Sequence, residues 1–425
     1  MSSPLSRLSN AVLGPRKGRR ALLIGSVLFL VLSMVRTVTD TADITSSGTM
    51  GTTLRLTIPI MLAGLAGLWA ERVGVVNIGI EGMMILGSWF GGFAAWQWGA
   101  WAGLAFGVLG GVLGGLIHAV AVVRFNVDHI ISGVALNILA FGAMRYLSEL
   151  AFEGEQGGGI SQSPQQVSKI PKINVPVLAG GQVGGWKSPD VLGTLEAKQW
   201  FAVSDAAGIL RALVFDVSWA TIISLLLVPL TFWVLWRTRF GLRVRSSGEA
   251  PDAAETLGVR VAPLRYAALS ISGGLAGLGG AYLAVVFSSY YREGQTANRG
   301  YIGLATMIFG NWRPSGVLGG AALFGFGDAV QLVARDALPK LFLFFAIIGA
   351  LAAVVSAVRK RWVATASSVV LSGLFLWGFM AVDEVPEPLT KAVPYLLTLI
   401  VLATASMRLR PPAHAGRPYR SGESR

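Results

Sequence analysis

Few side chains in the apolar part of the chain carry groups that could do chemistry. Three carboxylates lie within apolar segments; Glu149 can pair with Arg145 four residues earlier, which leaves Glu81 and Asp328. Three asparagines, Asn77, Asn137 and Asn298, lie within or beside such segments. A carboxylate inside a membrane is costly, so it is expected to be paired or to line a water-filled cavity. An asparagine can hydrogen-bond a polar substrate or cross-link two helices. These five residues are the candidates for a solute pathway, with cross-linking the favoured alternative for Asn77 and Asn137.

Glu81 and Asp328 differ in their sequence neighbours. Glu81 follows Asn77 by about one helical turn, and two interpretations stay open for it. It is either a structural or gating group beside the pathway, or a residue at the membrane interface that pairs with Arg72. Asp328 is central in its segment and has no basic residue close by in sequence. A role facing the pathway is therefore one hypothesis for Asp328.

The residue types on which enzymes and metal sites depend are scarce. Cys is absent and the chain has three histidines, which argues against a disulfide framework, a thiol nucleophile or a metal site. The sequence contains no G-x-x-x-x-G-K-[ST] phosphate loop, the motif that cradles the phosphates of a bound nucleotide. We therefore predict that this chain is not an enzyme and binds no cofactor.

The net charge of +13 has two possible explanations. Lys and Arg collect in the cytoplasmic loops of membrane proteins, and a basic surface can also bind nucleic acid. The arginines lie between apolar runs and at the chain ends. This placement favours the first explanation, and we predict no nucleic-acid partner.

The elements that position these residues are expected to be membrane helices. Hydrophobic residues make up 53% of the chain and charged residues 13%, whereas a soluble domain carries about 25% charged residues. The 54 glycines suit close packing of helices in a membrane. A span takes about 20 residues, so we predict an all-α polytopic membrane protein with about ten to twelve transmembrane helices. The apolar segments lie at 21–39, 53–70, 77–96, 99–123, 129–152, 218–236, 264–287, 301–312, 315–334, 340–358, 363–382 and 391–407. The 301–312 segment is too short to span alone and is a candidate for half of a broken helix.

Basic residues predict the orientation. With the N-terminus in the cytoplasm, alternating spans place nearly every basic cluster on the cytoplasmic side. These residues are Arg72, Arg124, Arg237, Arg239, Arg243, Arg245, Arg313, Arg359, Lys360, Arg361, Arg408, Arg410, Arg417 and Arg420. The predicted parts are a basic cytoplasmic N-terminus (1–20), a first transmembrane half (21–152), an extracytoplasmic insertion with little regular structure (153–217), a second half (218–358) with a cytoplasmic loop (237–263), extra spans (359–410) and a cytoplasmic tail (411–425).

Two short patterns occur twice in the same order. Gly-Leu-Ala-Gly-Leu occupies residues 64–68 and 274–278, and each copy is followed by an Asn-x-Gly-x-x-Gly pattern, at 77–82 and at 298–303. In the predicted topology the first Asn segment starts from the cytoplasmic side and the second from outside. The two halves then form an inverted internal repeat, the symmetry that many transporters use to build a pathway.

The longest cytoplasmic loop contains the signals of a short helix. Pro251 stands near its start, Asp252 and Glu255 follow, and Gly258 closes it. One interpretation is a linker helix on the membrane surface. The other is a coupling helix whose small, acidic exposed face docks into a groove on another protein. The residues assigned to coupling are Gly248, Glu249, Asp252, Ala253, Ala254, Leu257 and Gly258.

Three segments resemble permeases of the branched-chain amino acid, ribose and nucleoside importer superfamily. Residues 71–84, ERVGVVNIGIEGMM, look like its signature segment, most like the nucleoside-type members. Residues 248–258 resemble its short coupling motif. Residues 300–320, which contain IFGNWRPSGVLG at 308–319, look like its second conserved half. The resemblance covers about 50–150 and 218–358. The 153–217 insertion and the segments after 360 depart from it.

This resemblance implies the membrane-spanning subunit of an ATP-driven ABC importer, with nucleosides as the expected solute. It implies a partner ATPase that binds ATP and Mg, a second permease chain (a heterodimer, or alternatively a homodimer), an extracytoplasmic solute-binding protein and a bacterial cytoplasmic membrane. A simple-sugar permease of the ribose type is one alternative. Another is an ion-coupled secondary transporter, which the inverted repeat also permits and for which Glu81 and Asp328 are the acids available.

Overall fold

The computed structural model describes residues 15–183, 185–333, 337–382, 386, 409–417 and 419, with the backbone alone at 15–22, 42, 183 and 187. The predicted apolar segment 391–407 lies outside these residues. So do Arg408 and Arg420.

Apart from short strands and turns, the described chain is helical. The helices are α1 (Pro15–Thr39), α2 (Ser47–Arg72), α3 (Ile80–Trp98), α4 (Ala100–Ala119, continued by the π-helical turn Val120–Arg124), α5 (His129–Phe152), α6 (Val191–Ala197), α7 (Val203–Ala212), α8 (Trp219–Arg237), α9 (Arg239–Glu249), α10 (Pro251–Thr256), α11 (Val261–Tyr282, continued by the π-helical turn Leu283–Ser288), α12 (Arg299–Phe309), α13 (Pro314–Val333), α14 (Leu338–Val358) and α15 (Trp362–Ala381). A short 3₁₀ turn lies between α1 and α2 at Ala42–Ile44. Two antiparallel pairs of short strands complete the described elements: β1 (Lys172–Ile173) with β4 (Val217–Ser218), and β2 (Gln182–Val183) with β3 (Trp186–Lys187).

Eight helices in the described part are long and apolar enough to cross a membrane. They are α2, α4, α5, α8, α11, α13, α14 and α15. In α1 the part whose side chains are described, Leu23–Thr39, is apolar, and α3 has 19 residues that are mostly buried. The prediction of an all-α polytopic membrane protein is confirmed.

The chain divides into two compact units. The first contains Met1–Thr52, Asn174–Phe215 and Asp328–Val393, and the second contains Thr53–Ile173, Asp216–Gly327 and Pro394–Arg425. Helix α2 begins among the residues of the first unit and ends among those of the second, and α13 begins in the second and ends in the first.

In the first unit, α14 packs against α1 and α15. No residue of α15 is buried, and its side chains are mostly apolar, as expected of a helix that faces lipid.

Residues 174–215 of the first unit are more ordered than the sequence predicts. They form α6 and α7, and Arg36 of α1 makes a buried ion pair with Asp205 at 2.8 Å. Arg211 binds Asp190 at 2.7 Å and Glu196 at 3.4 Å. Ion pairs between residues far apart in sequence thus stabilise a segment whose Pro- and Gly-rich composition predicts little regular structure.

In the second unit, α3, α4 and α11 pack closely through glycines. A Cβ added at Gly111 would lie 2.6 Å from the Cα of Gly277, which is too close for any side chain. The helices approach backbone to backbone, as the glycine content predicts. α5 packs on the other side of α3, and the Asp128 side chain caps its first turn through the backbone N–H of Ile130 at 2.8 Å.

α12 is a half-length helix, as expected for the 301–312 segment. Its 11 residues span about 16 Å. Asn311 and Trp312 then take positive φ angles of 52° and 53°, and α13 runs back along α12. A Cβ at Gly320 of α13 would lie 3.1 Å from the Cβ of Thr306 in α12, so the pair forms a helical hairpin.

α3 and α12 begin near the same point and run in opposite directions. α12 runs parallel to α2, since Gly64 lies beside Gly303 and Gly67 beside Leu304 and Met307. α3 returns antiparallel to α2 after the 73–79 loop. This arrangement is what an inverted repeat requires, and both Asn-x-Gly-x-x-Gly copies lie at these helix starts. The repeat itself stays a prediction.

Candidate functional site

The first turns of α3 and α12 meet at Glu81. Its carboxylate accepts hydrogen bonds from the backbone N–H of Asn298 at 3.0 Å and of Gly300 at 2.7 Å. The first N–H groups of a helix lack partners within it, and the helix dipole favours a negative group there. Glu81 therefore caps α12 from a position 217 residues away. We call Glu81, Asn298 and Gly300 the Glu81 junction.

The Glu81 junction depends on the absence of a side chain at residue 300. A Cβ on Gly300 would lie 2.7 Å from the Cα and N of Glu81. Asn298, at the N-cap, takes the left-handed conformation with φ 62°. Glu81 is 7% exposed and lies about one turn inward of the α2 end, since Ile80 contacts Gly67. The junction is thus inside the bundle.

Asn137 of α5 joins the same place. Its amide nitrogen donates to the carbonyl of Ile78 at 3.0 Å and to the hydroxyl of Tyr301 at 2.8 Å. Its oxygen accepts from the backbone N–H of Gly82 at 2.7 Å. Asn137 thus links α5 to the start of α3 and to α12, as expected of a helix cross-link.

Two polar residues beside the junction were not singled out from the sequence. Tyr301 is 41% exposed, and its hydroxyl faces Asn137. Gln295 donates through its amide nitrogen to the hydroxyl of Ser88 on α3. Tyr301 lies within the second Asn-x-Gly-x-x-Gly pattern and Gln295 lies three residues before it, so this pattern is the signal that could have identified them.

The other two candidates lie elsewhere. Asn77 is fully buried, and its amide nitrogen donates to the hydroxyl of Ser272 on α11 at 3.0 Å. Asp328 is 8% exposed on α13 and belongs to the first unit. Of the five pathway candidates, Glu81, Asn137 and Asn298 come together.

Arg72 does not pair with Glu81. It donates to the carbonyl of Trp312 at 2.7 Å and lies 3.9 Å from the carboxylate of Glu249. The Trp312 indole N–H donates in turn to Glu71 at 2.6 Å. These contacts hold the α12–α13 turn against the end of α2. The interface alternative for Glu81 therefore lacks its proposed partner.

The predicted short helix of the cytoplasmic loop is present as α10. Pro251 is its first residue, and Gly258 follows it with φ 80°. Residues 239–249, predicted as loop, form a further helix, α9. Its sequence separates charged from apolar residues at helical spacing, which is the signal that could have predicted this helix.

The faces of α9 and α10 differ from the sequence prediction. Gly248 and Ala254 are buried rather than part of an exposed face. A Cβ on Gly248 would lie 3.1 Å from the backbone nitrogen of Gly74, so this glycine packs on the loop before α3. Asp252 and Ala253 are exposed, and Leu257 is 85% exposed. The exposed surface is thus part acidic and part apolar.

Among the described residues, no three acidic or histidine side chains cluster closely enough to hold a metal ion.

A family model described as "Branched-chain amino acid transport system / permease component" matches residues 49–402. The chain belongs to this permease family. Together with the apolar helices, the match makes it a multi-pass membrane permease, the component of a transport system that spans the membrane. No solved structure matches the chain.

Several curated relatives are similar to this permease over most of their length. The guanosine ABC transporter permease protein NupQ of Bacillus subtilis is 35% identical over 289 residues, which is 66% of this chain and 81% of the relative. The nucleoside ABC transporter permease protein NupC of Lactococcus lactis is 35% identical over 282 residues, 65% of this chain and 79% of the relative. The putative glucose ABC transporter permease protein TsgC13 of Haloferax volcanii is 33% identical over 289 residues, 68% and 78%.

Proposed function

We propose that this permease is the translocating subunit of an ATP-driven ABC importer for nucleosides. The observation that carries the proposal is its similarity to two nucleoside-type permeases, NupQ and NupC, across four fifths of their length. The 71–84 segment, which contains the Glu81 junction's carboxylate, is where the resemblance to nucleoside-type permeases is most specific. Simple sugars are the second candidate, favoured by the similarity to TsgC13.

The permease itself supplies no energy-converting chemistry in this proposal. ATP and Mg are bound and used by a partner ATPase that docks on α9 and α10, where Asp252, Ala253 and Leu257 face outward. The permease binds no cofactor and acts as no enzyme. An ion-coupled mechanism would instead need acids free to bind the ion, but both Glu81 oxygens accept hydrogen bonds from the start of α12.

We expect two further protein partners. A second, homologous permease completes the pathway, and a heterodimer fits the pairing of guanosine permease proteins NupQ and NupP in Bacillus subtilis. A homodimer is the alternative. An extracytoplasmic binding protein delivers the solute. Lipid surrounds the exposed apolar helices, and no nucleic acid takes part.

The pathway is proposed to run past the Glu81 junction. Breaking a helix inside the bundle leaves backbone groups that protein or water must satisfy, and transporters place solute sites at such breaks. Tyr301 and Asn137 supply an exposed aromatic ring and an amide there. An aromatic face can stack on a nucleobase, and the amide oxygen of Asn137, which accepts one hydrogen bond from Gly82, can accept a second from ribose or base.

The orientation follows from the charges. Arg72, Arg313 and the basic residues of α9 lie at the same end of the second unit, and we assign that end to the cytoplasm. Both termini are then cytoplasmic, in a bacterial cytoplasmic membrane. Alternating access would open the junction to one side at a time.

The test is uptake by the complete complex in proteoliposomes. The permease, its partner permease and the ATPase are reconstituted with binding protein outside, and uptake of radiolabelled guanosine is compared with that of ribose and glucose. ATP-dependent uptake of guanosine, with weaker uptake of the sugars, is expected. Uptake that is independent of ATP and is driven by a proton or sodium gradient would contradict the proposal.

Tyr301→Ala tests the pathway assignment in the same assay. We expect the half-saturating guanosine concentration to rise, because an exposed ring beside the junction is lost. Tyr146→Ala is the matched control, since Tyr146 is 61% exposed on α5. An equal effect of both variants would count against this route.

A further inference from the structure

The last described residues of the chain lie against α9 and α10, the two helices on which the partner ATPase is proposed to dock. We call residues 409–417 and Tyr419 the C-terminal strap. Leu409 packs against the core of the second unit. From there the strap follows a path that contacts three separate elements of that unit.

The first contact is with the turn between α12 and α13. The backbone N–H of Arg410 donates to the side-chain oxygen of Asn311 at 2.8 Å. Asn311 is the residue with positive φ that ends the half-helix. The strap is thus attached to the end of α12 opposite the Glu81 junction.

The second contact is with the loop that leads into α3. The backbone N–H of Gly416 donates to the carbonyl of Gly74 at 3.2 Å. A Cβ on Gly416 would lie 3.2 Å from the side chain of Val76, so the strap lies against this loop. The loop enters α3 at Ile80, one residue before Glu81.

The third contact is with α9 and α10. The backbone N–H of Ala413 donates to Glu249 at 3.2 Å, and that of His414 donates to the Gly248 carbonyl at 2.9 Å. The Tyr419 hydroxyl donates to the carboxylate of Glu255. Residues on both sides of the α9–α10 break are therefore held by the strap.

Tyr419 also covers Arg265, an arginine that is 1% exposed at the start of α11. The guanidinium lies 5.0 Å from the centre of the Tyr419 ring, and two of its nitrogens, Nε and Nη2, have no hydrogen-bond partner among the described residues. A ring face over a desolvated cation is a favourable cation–π contact. Arg265 thus gives the far end of the strap an anchor.

The strap leaves the outer face of the coupling region open. Leu257 is 85% exposed, and Asp252 and Ala253 are exposed with the strap in place. A segment that blocked an ATPase would have to cover these residues. The strap instead lies between α9–α10 and the two helices that meet at Glu81.

We propose that the C-terminal strap is a coupling element that passes movement of α9 and α10 to the α12 turn and to the loop before α3. This role rests on the proposed ATP-driven import. It adds a second route beside the direct packing of Gly248 on Gly74. One segment then connects the ATPase side to the start of α3 and to the body of α12, the two helices that meet at the Glu81 junction.

The test uses the complete transporter in proteoliposomes and measures ATP hydrolysis and guanosine uptake together. Tyr419→Ala removes the ring on Arg265 and the bond to Glu255. We expect hydrolysis to continue while solute taken up per ATP falls about fivefold or more, the lower end of ordinary coupling between sites. Pro411→Ala, an exposed position of the strap, is the matched control and should leave the ratio unchanged.

A cross-link checks the strap's position without relying on transport. Because the chain has no Cys, a short bifunctional maleimide should join the pair Tyr419→Cys and Glu255→Cys, whose side chains meet end to end, whereas it should not join Tyr419→Cys to Val167→Cys in the insertion assigned to the outer side. Absence of the first cross-link in the folded complex would overturn the proposal. An unchanged uptake per ATP in Tyr419→Ala would also overturn it. So would a parallel rise in the rates of ATP hydrolysis and guanosine uptake, which would show that the strap inhibits the transporter. Loss of ATP dependence in the unaltered complex would overturn the proposed import instead.

Discussion

At the scale of single residues, Glu81 connects two helix starts that lie far apart in sequence. Its two oxygens each accept a backbone N–H from the first turn of α12. Charge-assisted hydrogen bonds of this kind are stronger than neutral ones. The carboxylate therefore has a structural role at the point where the proposed pathway passes.

Replacing Glu81 should distinguish what its charge contributes to stability from what its hydrogen bonds contribute. Glu81→Ala leaves two buried N–H groups without a partner, at a cost of about 1–3 kcal/mol for each. Glu81→Gln keeps one acceptor and should cost less. We expect the thermal unfolding midpoint in detergent to fall in the order wild type, Gln, Ala, with uptake lost in Ala. Glu149→Gln on the exposed side of α5 is the control, and an effect of equal size there would contradict this role.

His414 of the strap should make its docking depend on pH. Burial, and then the neighbouring Arg265, lower the pKa of His414 below its ordinary value of 6.5, against the opposing charge of Asp252. The docked strap therefore prefers the neutral imidazole. Its contribution is complete above pH 6.5 and is lost as the pH falls below that value.

The measurement is the unfolding midpoint at pH 7.5 and pH 5.5. Wild type should lose more between the two than His414→Gln, which cannot titrate there. Equal losses in both proteins would show that His414 carries no part of the pH dependence.

At the scale of helices, the second unit is held by backbone contact between α4 and α11. Gly111 and Gly277 face each other without room for a side chain. Close approach replaces the hydrophobic drive that water would supply, because lipid tails solvate apolar side chains equally well. This packing supports the α3 start that contains Glu81.

Gly111→Ala should destabilise this packing. The added methyl would meet the Gly277 backbone, and overpacking of this kind costs about 1–3 kcal/mol. The unfolding midpoint should fall, whereas Gly142→Ala, with nothing within 4 Å of its added carbon, should not lower it. A stable Gly111→Ala protein would show that α4 and α11 lie further apart.

The exposed and buried faces of α10 lead to opposite expectations. Leu257→Asp alters an exposed side chain, so stability should change by less than about 0.5 kcal/mol, while ATP-driven uptake falls because the ATPase contact is lost. Ala254, 4% exposed, should instead lower stability when enlarged to Leu. Val167→Asp, 66% exposed outside the predicted spans, is the control that should keep uptake. Full uptake by Leu257→Asp would remove this residue from the docking surface.

At the scale of the whole molecule, basic residues from distant segments gather at one end of the second unit. Arg72 ends α2, Arg313 precedes α13, and the two meet beside Trp312. The positive-inside rule predicts that this end is cytoplasmic.

Single cysteines can test the orientation, because the natural chain has none. Leu257→Cys should react with an impermeant maleimide from the cytoplasmic side alone, and Val167→Cys, 66% exposed, from the outer side alone. Val370→Cys on the lipid-facing α15 should react from neither side. Labelling of Leu257→Cys from outside would reverse the topology.

The sequence by itself determined the features that depend on local physics. Runs of apolar residues near the thickness of a membrane predict the spans, and the short 301–312 run predicts the half-helix, because hydropathy and length are properties of each segment alone. Proline, acidic residues and glycine predict α10, because helix ends are chosen by residues within a turn of them.

Only the tertiary structure decided which residues meet. Glu81 finds its partners 217 residues away, and Arg72 lies with Trp312 and Glu249 instead. The inward faces of Gly248 and Ala254, and the strap across α9 and α10, likewise depend on long-range contacts. A hydrogen bond between residues far apart in sequence leaves no local pattern, because the residues around each partner do not show which distant residue it will meet.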